Sequence, residues 1–140
     1  MTLTTLEPHV AVIGAGPAGL ALALLAARRL PRARVTVFDA RPIDKDVSGD
    51  ARTLALALGS VQLLARLGAW PAAAAQPITE VHVSQATPTL LPWPGGRAEV
   101  RIRALDERVP YLGAVLPYGA LVAPLQQAWL RLCDNEPQRL

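Results

Sequence analysis

Cysteine is nearly missing from this chain of 140 residues. Cys133 stands alone, so no intramolecular disulfide can form and nothing marks a secreted, disulfide-stapled scaffold. Only His9 and His82 accompany it, and the three cannot be assembled into a metal-ligand cluster at recognisable spacing. With no catalytic-cysteine sequence around it, Cys133 reads as a small packed residue near a helix end. Lysine is equally rare, with one against thirteen arginines. Those arginines are scattered, with no dense basic run and no basic-aromatic interleaving, so the net charge of +3 does not point to nucleic acid. Aromatics are few, and Trp70, Trp93 and Trp129 read as packing residues rather than stacking partners for a substrate. Internal repeats and low-complexity linkers are absent. What remains is 51% hydrophobic, enough for the core of one globular domain.

One run, 10–27, carries no charge over 18 residues and just reaches the length of a membrane span. Three glycines and a proline in its first half argue against a membrane helix, and Glu7 and His9 ahead of it are not the basic start of a signal peptide. The chain is therefore expected to be cytoplasmic.

The same run holds the most informative motif, Val-Ala-Val-Ile-Gly-Ala-Gly-Pro-Ala-Gly at 10–19. Val10, Val12 and Ile13 supply a β-branched strand, and Leu20, Leu22, Leu24 and Leu25 among alanines supply a helix that ends near Arg28, Arg29 and Pro31. Between them, Gly14 permits the tight turn, Gly16 lets backbone approach a pyrophosphate, and Gly19 lets the helix pack closely on the sheet. Pro17 falls in the first helical turn, where a missing amide donor costs nothing. The free amides and positive dipole end of the helix suit an anion without any lysine.

Residues 34–38, Arg-Val-Thr-Val-Phe, alternate as a second strand and end in Asp39. Asp39 lies 20 residues beyond Gly19, which matches the separation of about 20 for the acid that accepts a hydrogen bond from a ribose hydroxyl. The plainer reading, that Asp39 only terminates a strand, does not account for strand, triplet, helix, strand and acid in one unit of ~30 residues.

Beyond Asp39 the periodicity predicts a charged loop over 40–50 and a helix over 51–67, from Leu54, Leu58, Val61, Leu64 and Leu67, with Gly68 as its stop. A strand is expected over 78–84, turn chemistry over 90–96, a strand over 100–103 pairing back antiparallel, and another over 111–116. A last helix runs from about Tyr118 to Cys133, with Pro124 expected near an end or a kink. His82 shares its strand face with Glu80 and Ser84, opposite Val81 and Val83, and reads as a residue of a solvated or partly covered face.

The second half adds Gly-Asp-Ala-Arg-Thr-Leu-Ala-Leu-Ala at 49–57, Gly59-Ser60, Leu-Gly-Ala-Trp at 67–70, Ile-Thr-Glu-Val-His-Val-Ser at 78–84 and Leu112-Gly113. Together with Gly-Pro-Ala-Gly-Leu at 16–20, these resemble the amino-terminal part of the flavin-dependent ubiquinone-biosynthesis hydroxylases, aromatic-ring monooxygenases of the p-hydroxybenzoate hydroxylase type. The resemblance runs from about Val10 to Leu132. It implies an α/β fold, a partial Rossmann-like FAD-binding domain with a βαβ start and a small antiparallel β extension. It implies FAD, with Gly14, Gly16 and Gly19 at the pyrophosphate, Asp39 at the adenosine ribose, and Arg52 at the phosphate and ribitol portion. Ala15, Pro17, Ala18, Ala40 and Arg41 complete the expected cofactor-binding set. From spacing alone Arg52 is a solvent-facing helix residue, and Arg41 either stacks on adenine, meets a phosphate or stands in water.

The resemblance further implies NAD(P)H as reductant, dioxygen as co-substrate, a small aromatic substrate such as a polyprenylated phenol, and contact with a membrane surface without a spanning segment. No acid-base residue is required of this chain, because the cofactor carries the chemistry. Family members are far longer and carry later Asp-Gly and Gly-Asp motifs. Residues 1–140 are thus expected to be the amino-terminal part of an FAD-binding domain, binding FAD weakly alone and not hydroxylating. Two other classes share the glycine fingerprint: another FAD- or NAD-linked oxidoreductase, which leaves 49–57 unexplained, and a noncatalytic nucleotide-binding or interaction module.

Overall fold

A computed structural model describes residues 7–42, 45–84 and 99–137. The turn expected over 90–96, and Trp93 within it, lie outside the described residues.

The chain opens with β1 (His9–Ile13), α1 (Pro17–Arg29) and β2 (Arg34–Phe38). β1 and β2 pair in parallel, with His9 opposite Arg34 and Ile13 opposite Phe38. Parallel neighbours need a crossover, and α1 provides it. Its buried stripe of Leu20, Ala23, Leu24 and Ala27 repeats at helical spacing and covers Val12 and Val35. The alanines in that stripe let the helix axis lie close to the strands. No side chain caps the amino end of α1, while Arg28 and Arg29 occupy its last turn.

The expected helix over 51–67 is two elements. β3 (Thr53–Ala57) leads directly into α2 (Leu58–Arg66). Leu and Ala have high helix propensity, which hid a strand whose alternation is plain in its burial: Leu54 and Leu56 are half-covered, Thr53, Ala55 and Ala57 exposed. Pairing decides the matter, because β3 lies antiparallel to a later strand along all five residues. Gly68 stops α2 as expected, at φ +70°, with the Ala69 amide donating to the Leu64 carbonyl.

The expected strand over 78–84 is likewise broken, at Thr79, into β4 (Gln76–Ile78) and β5 (Glu80–Ser84). β6 (Glu99–Arg103) pairs back on β5 antiparallel, as expected. β7 (Gly113–Pro117) is the centre of a three-stranded antiparallel sheet in the order β3-β7-β4. A Cβ on Gly113 would stand 2.1 Å from the Leu56 carbonyl oxygen, so glycine is what lets β3 approach there.

α3 (Tyr118–Asn135) closes the described chain and continues through Pro124. It buries Leu121, Val122, Leu125 and Trp129 in a core shared with α1 and β7. Trp70 and Cys133 pack half-buried against that core, and burial pushes the Cys133 thiol upward, away from reactivity. By contrast, every residue of β5 and β6 is exposed, on both faces. His82 sits with Glu80 and Ser84 as expected, its Nε2 3.3 Å from Glu99 Oε2, but the Val81 and Val83 face is open as well. No helix among the described residues is long and apolar enough to cross a membrane.

Candidate nucleotide-binding site

The turn between β1 and α1 is built by backbone geometry. Gly14 sits at φ +103°, a conformation that side chains rarely adopt, and its amide donates to the Phe38 carbonyl at 2.6 Å. A Cβ on Gly19 would lie 1.9 Å from the Gly14 carbonyl oxygen, so α1 can seat against the turn only with glycine at 19. These two glycines are explained by the chain itself. Gly16 is not. It takes an extended conformation (φ −76°, ψ −178°) open to any residue, and a Cβ there would meet only the Tyr118 hydroxyl, at 3.9 Å. The fold leaves that space beside the uncapped amides of α1, with Pro17 and Ala18 opening the helix and no acidic residue in the first turn.

Asp39 ends β2 against this turn. Its Oδ2 accepts the Ala15 amide at 2.7 Å, while Oδ1 accepts the Arg41 amide at 2.8 Å and Arg41 Nε at 3.2 Å. The backbone is open at this point, yet the side chain is only 13% exposed. The Ala15 amide first, then Arg41, pull its carboxyl down to about 2. It is therefore an ionised acceptor at neutral pH, and two carboxylate oxygens offer more lone pairs than these three donors fill. Ala40 is exposed beside it.

Arg52 does not begin a helix as spacing suggested. It stands just before β3, in a loop clamped onto the start of α3: the Tyr118 amide donates to the Arg52 carbonyl and the Gly119 amide to the Asp50 carbonyl at 3.0 Å. A Cβ on Gly119 would stand 2.4 Å from the carbonyl oxygens of Val47 and Ser48, so this glycine admits the loop. Arg52 Nη2 donates to Asp50 Oδ2 at 2.6 Å, and its Cζ lies over the Tyr118 ring, 4.8 Å from the centroid.

The glycine turn, Asp39 and Arg41 thus meet directly, and Arg52 joins them through Tyr118. Sequence reasoning found all of these except Tyr118 and Gly119. No local pattern signals those two, because their roles come from contacts with 47–52. Among the described residues no group of His, Cys, Asp and Glu can hold a metal ion.

Comparison with known proteins agrees with this architecture. No curated protein matches the sequence. Among solved structures the chain is similar to 2,6-dihydroxypyridine-3-hydroxylase from Arthrobacter nicotinovorans, with a TM-score of 0.53 and 19% identity over 95% of this chain. The chain spans 28% of the length of that protein. Residues 12–69 match the family described as NAD(P)-binding Rossmann-like domain, and the fold is accordingly Rossmann-like, with a parallel βαβ start and small antiparallel sheets.

Proposed function

We propose that this chain is the ADP-binding portion of an FAD-dependent monooxygenase that hydroxylates an aromatic ring. The observation that carries the nucleotide reading is Gly16, a glycine that the fold does not require, in the turn between β1 and α1 where a Cβ would fill space beside the uncapped amides of α1. A pyrophosphate accounts for that vacancy in the sequence, because its oxygens need backbone contact at close range. The residues present fit the group: amides of α1 for the phosphates, ionised Asp39 for the ribose hydroxyls, and Arg41 and Arg52 for the remaining negative charge.

FAD is favoured over a nicotinamide nucleotide by the resemblance of 49–57 to the ubiquinone-biosynthesis hydroxylases, and the likeness to a dihydroxypyridine hydroxylase supports ring hydroxylation. FAD, when bound, supplies the redox chemistry by which NAD(P)H and dioxygen convert an aromatic C–H to C–OH with release of water. The part played by this chain is to hold and orient the adenosine end, and none of its residues is assigned a proton transfer. We place residues 1–140 as the amino-terminal part of the FAD-binding domain, with the substrate a polyprenylphenol-like ring reached at a membrane surface.

Parallel calorimetric titrations of the purified chain with FAD, NAD+, ADP and AMP test this. FAD and ADP should bind saturably, and AMP, which lacks the pyrophosphate, about tenfold more weakly. NAD+ binding tighter than FAD would overturn the flavin assignment, and no binding by any of the four would overturn the nucleotide reading.

A further inference from the structure

Arg41 and Arg52 belong to different loops, one following β2 and one preceding β3, and nothing in their sequence positions requires them to meet. The structure brings both to one side chain. Tyr118, the first residue of α3, lies half-buried with its ring under Arg52 Cζ at 4.8 Å. Asp39 first, and the Tyr118 hydroxyl after it, hold the Arg41 guanidinium above its usual pKa, which sets Arg41 in the neighbourhood of the same side chain. The Tyr118 hydroxyl in turn points at the open side of Gly16, 3.9 Å from where a Cβ would stand. One phenol therefore lies under the Arg52 guanidinium, near that of Arg41, and beside the mouth of the glycine turn.

Each arginine is braced from behind in the same way. Asp39 accepts the amide and Nε of Arg41, and Asp50 accepts the amide, Nε and Nη2 of Arg52. The bracing leaves the guanidiniums accessible, since the Arg41 side chain is 45% exposed and that of Arg52 73%. A loose arginine loses rotamer freedom when it grips an anion, whereas one already stacked and braced loses less.

We propose that Tyr118 is a positioning residue that holds Arg41 and Arg52 together as a two-guanidinium clamp on the diphosphate of the bound nucleotide. This rests on the nucleotide reading above. It adds that affinity for the diphosphate depends on a tyrosine outside the glycine fingerprint, and that the two Asp-Ala-Arg triplets act as one unit.

The test compares ADP with adenosine, which lacks the diphosphate, on the full chain. Tyr118→Leu should weaken ADP about fivefold while leaving adenosine affinity unchanged, and Tyr118→Phe, which keeps the ring under Arg52, should recover about half of that loss. Raising salt should erode the wild-type preference for ADP over adenosine more steeply than that of Tyr118→Leu. Equal losses for ADP and adenosine, or no loss of ADP affinity, would overturn the clamp. Should Tyr118→Leu not fold, Arg41→Gln/Arg52→Gln with Tyr118 intact must show the selective ADP loss, and its absence would overturn the clamp as firmly. A wild-type chain that binds ADP normally while these variants do too removes only this proposal; a wild-type chain that binds no ADP removes the nucleotide reading with it.

Discussion

β1–β2 and β5–β6 are both two-stranded pairs of five-residue strands, each hydrogen-bonded in register along its whole length. Their surroundings differ completely. Val12 and Val35 of the first pair are 5% and 0% exposed beneath α1, whereas Val83 and Val100 of the second are 59% and 58% exposed. Strand pairing alone makes no core. What distinguishes the first pair is the crossover helix, whose close seating fixes Gly14 and Gly19 and leaves uncapped amides at the carboxyl end of the strands. The second pair is held together laterally, by Glu80 between Arg101 and Arg103 and by His82 beside Glu99. Exposed pairs of that kind contribute little.

The contrast is broken most severely at Gly19. Gly19→Ala drives a Cβ into backbone, which cannot move as a side chain can, and should destabilise the chain by about 3 kcal/mol or more in urea unfolding. Leu24→Ala, in the buried stripe of α1 at 2% exposure, should lose about 3 kcal/mol, while Val83→Ala in the hairpin should lose no more than about 0.5 kcal/mol. An equal loss at the two sites would mean that the hairpin is covered as well as the βαβ unit.

Acid sharpens the comparison further. Because the folded-state pKa of Asp39 is lowered to about 2, its contribution to stability is fully present above the unfolded-state value of about 3.9 and is lost as pH falls through the folded value. Wild-type stability should therefore decline between about pH 4 and 2 more steeply than that of Asp39→Asn, in urea titrations at successive pH values. The smallest effect is expected at Glu80→Gln, about 0.5 kcal/mol or less even though two arginines face it, and further diminished by salt.

The βαβ unit was legible in the sequence because its signals are local. Gly14, Gly16, Gly19 and Asp39 stand at intervals set by one strand, one turn and one helix, and the structure realises each interval. β3 was not legible, because Leu54 and Leu56 satisfy helical spacing with the residues of α2 as readily as alternation within a strand, and only β7, far along the chain, selects between them. Tyr118 and Gly119 were hidden for the same reason. Their roles come from contacts with 47–52, which no local pattern at 118–119 records. Arg52 was singled out by resemblance, and the structure supplied the physical setting that spacing had missed: a loop clamped to the start of α3, with the guanidinium over the Tyr118 ring, instead of a helix face.

Gly16 offers the most direct measurement, because the fold has room for a methyl group there and the proposed ligand does not. FAD binding by the wild-type chain and Gly16→Ala, followed by flavin fluorescence, would be set beside urea unfolding of the same two proteins. A loss of affinity of about tenfold or more with unchanged unfolding is the expected result. Equal FAD affinity in the two proteins, or no FAD binding by the wild type, would contradict the assignment of this turn as a dinucleotide cradle.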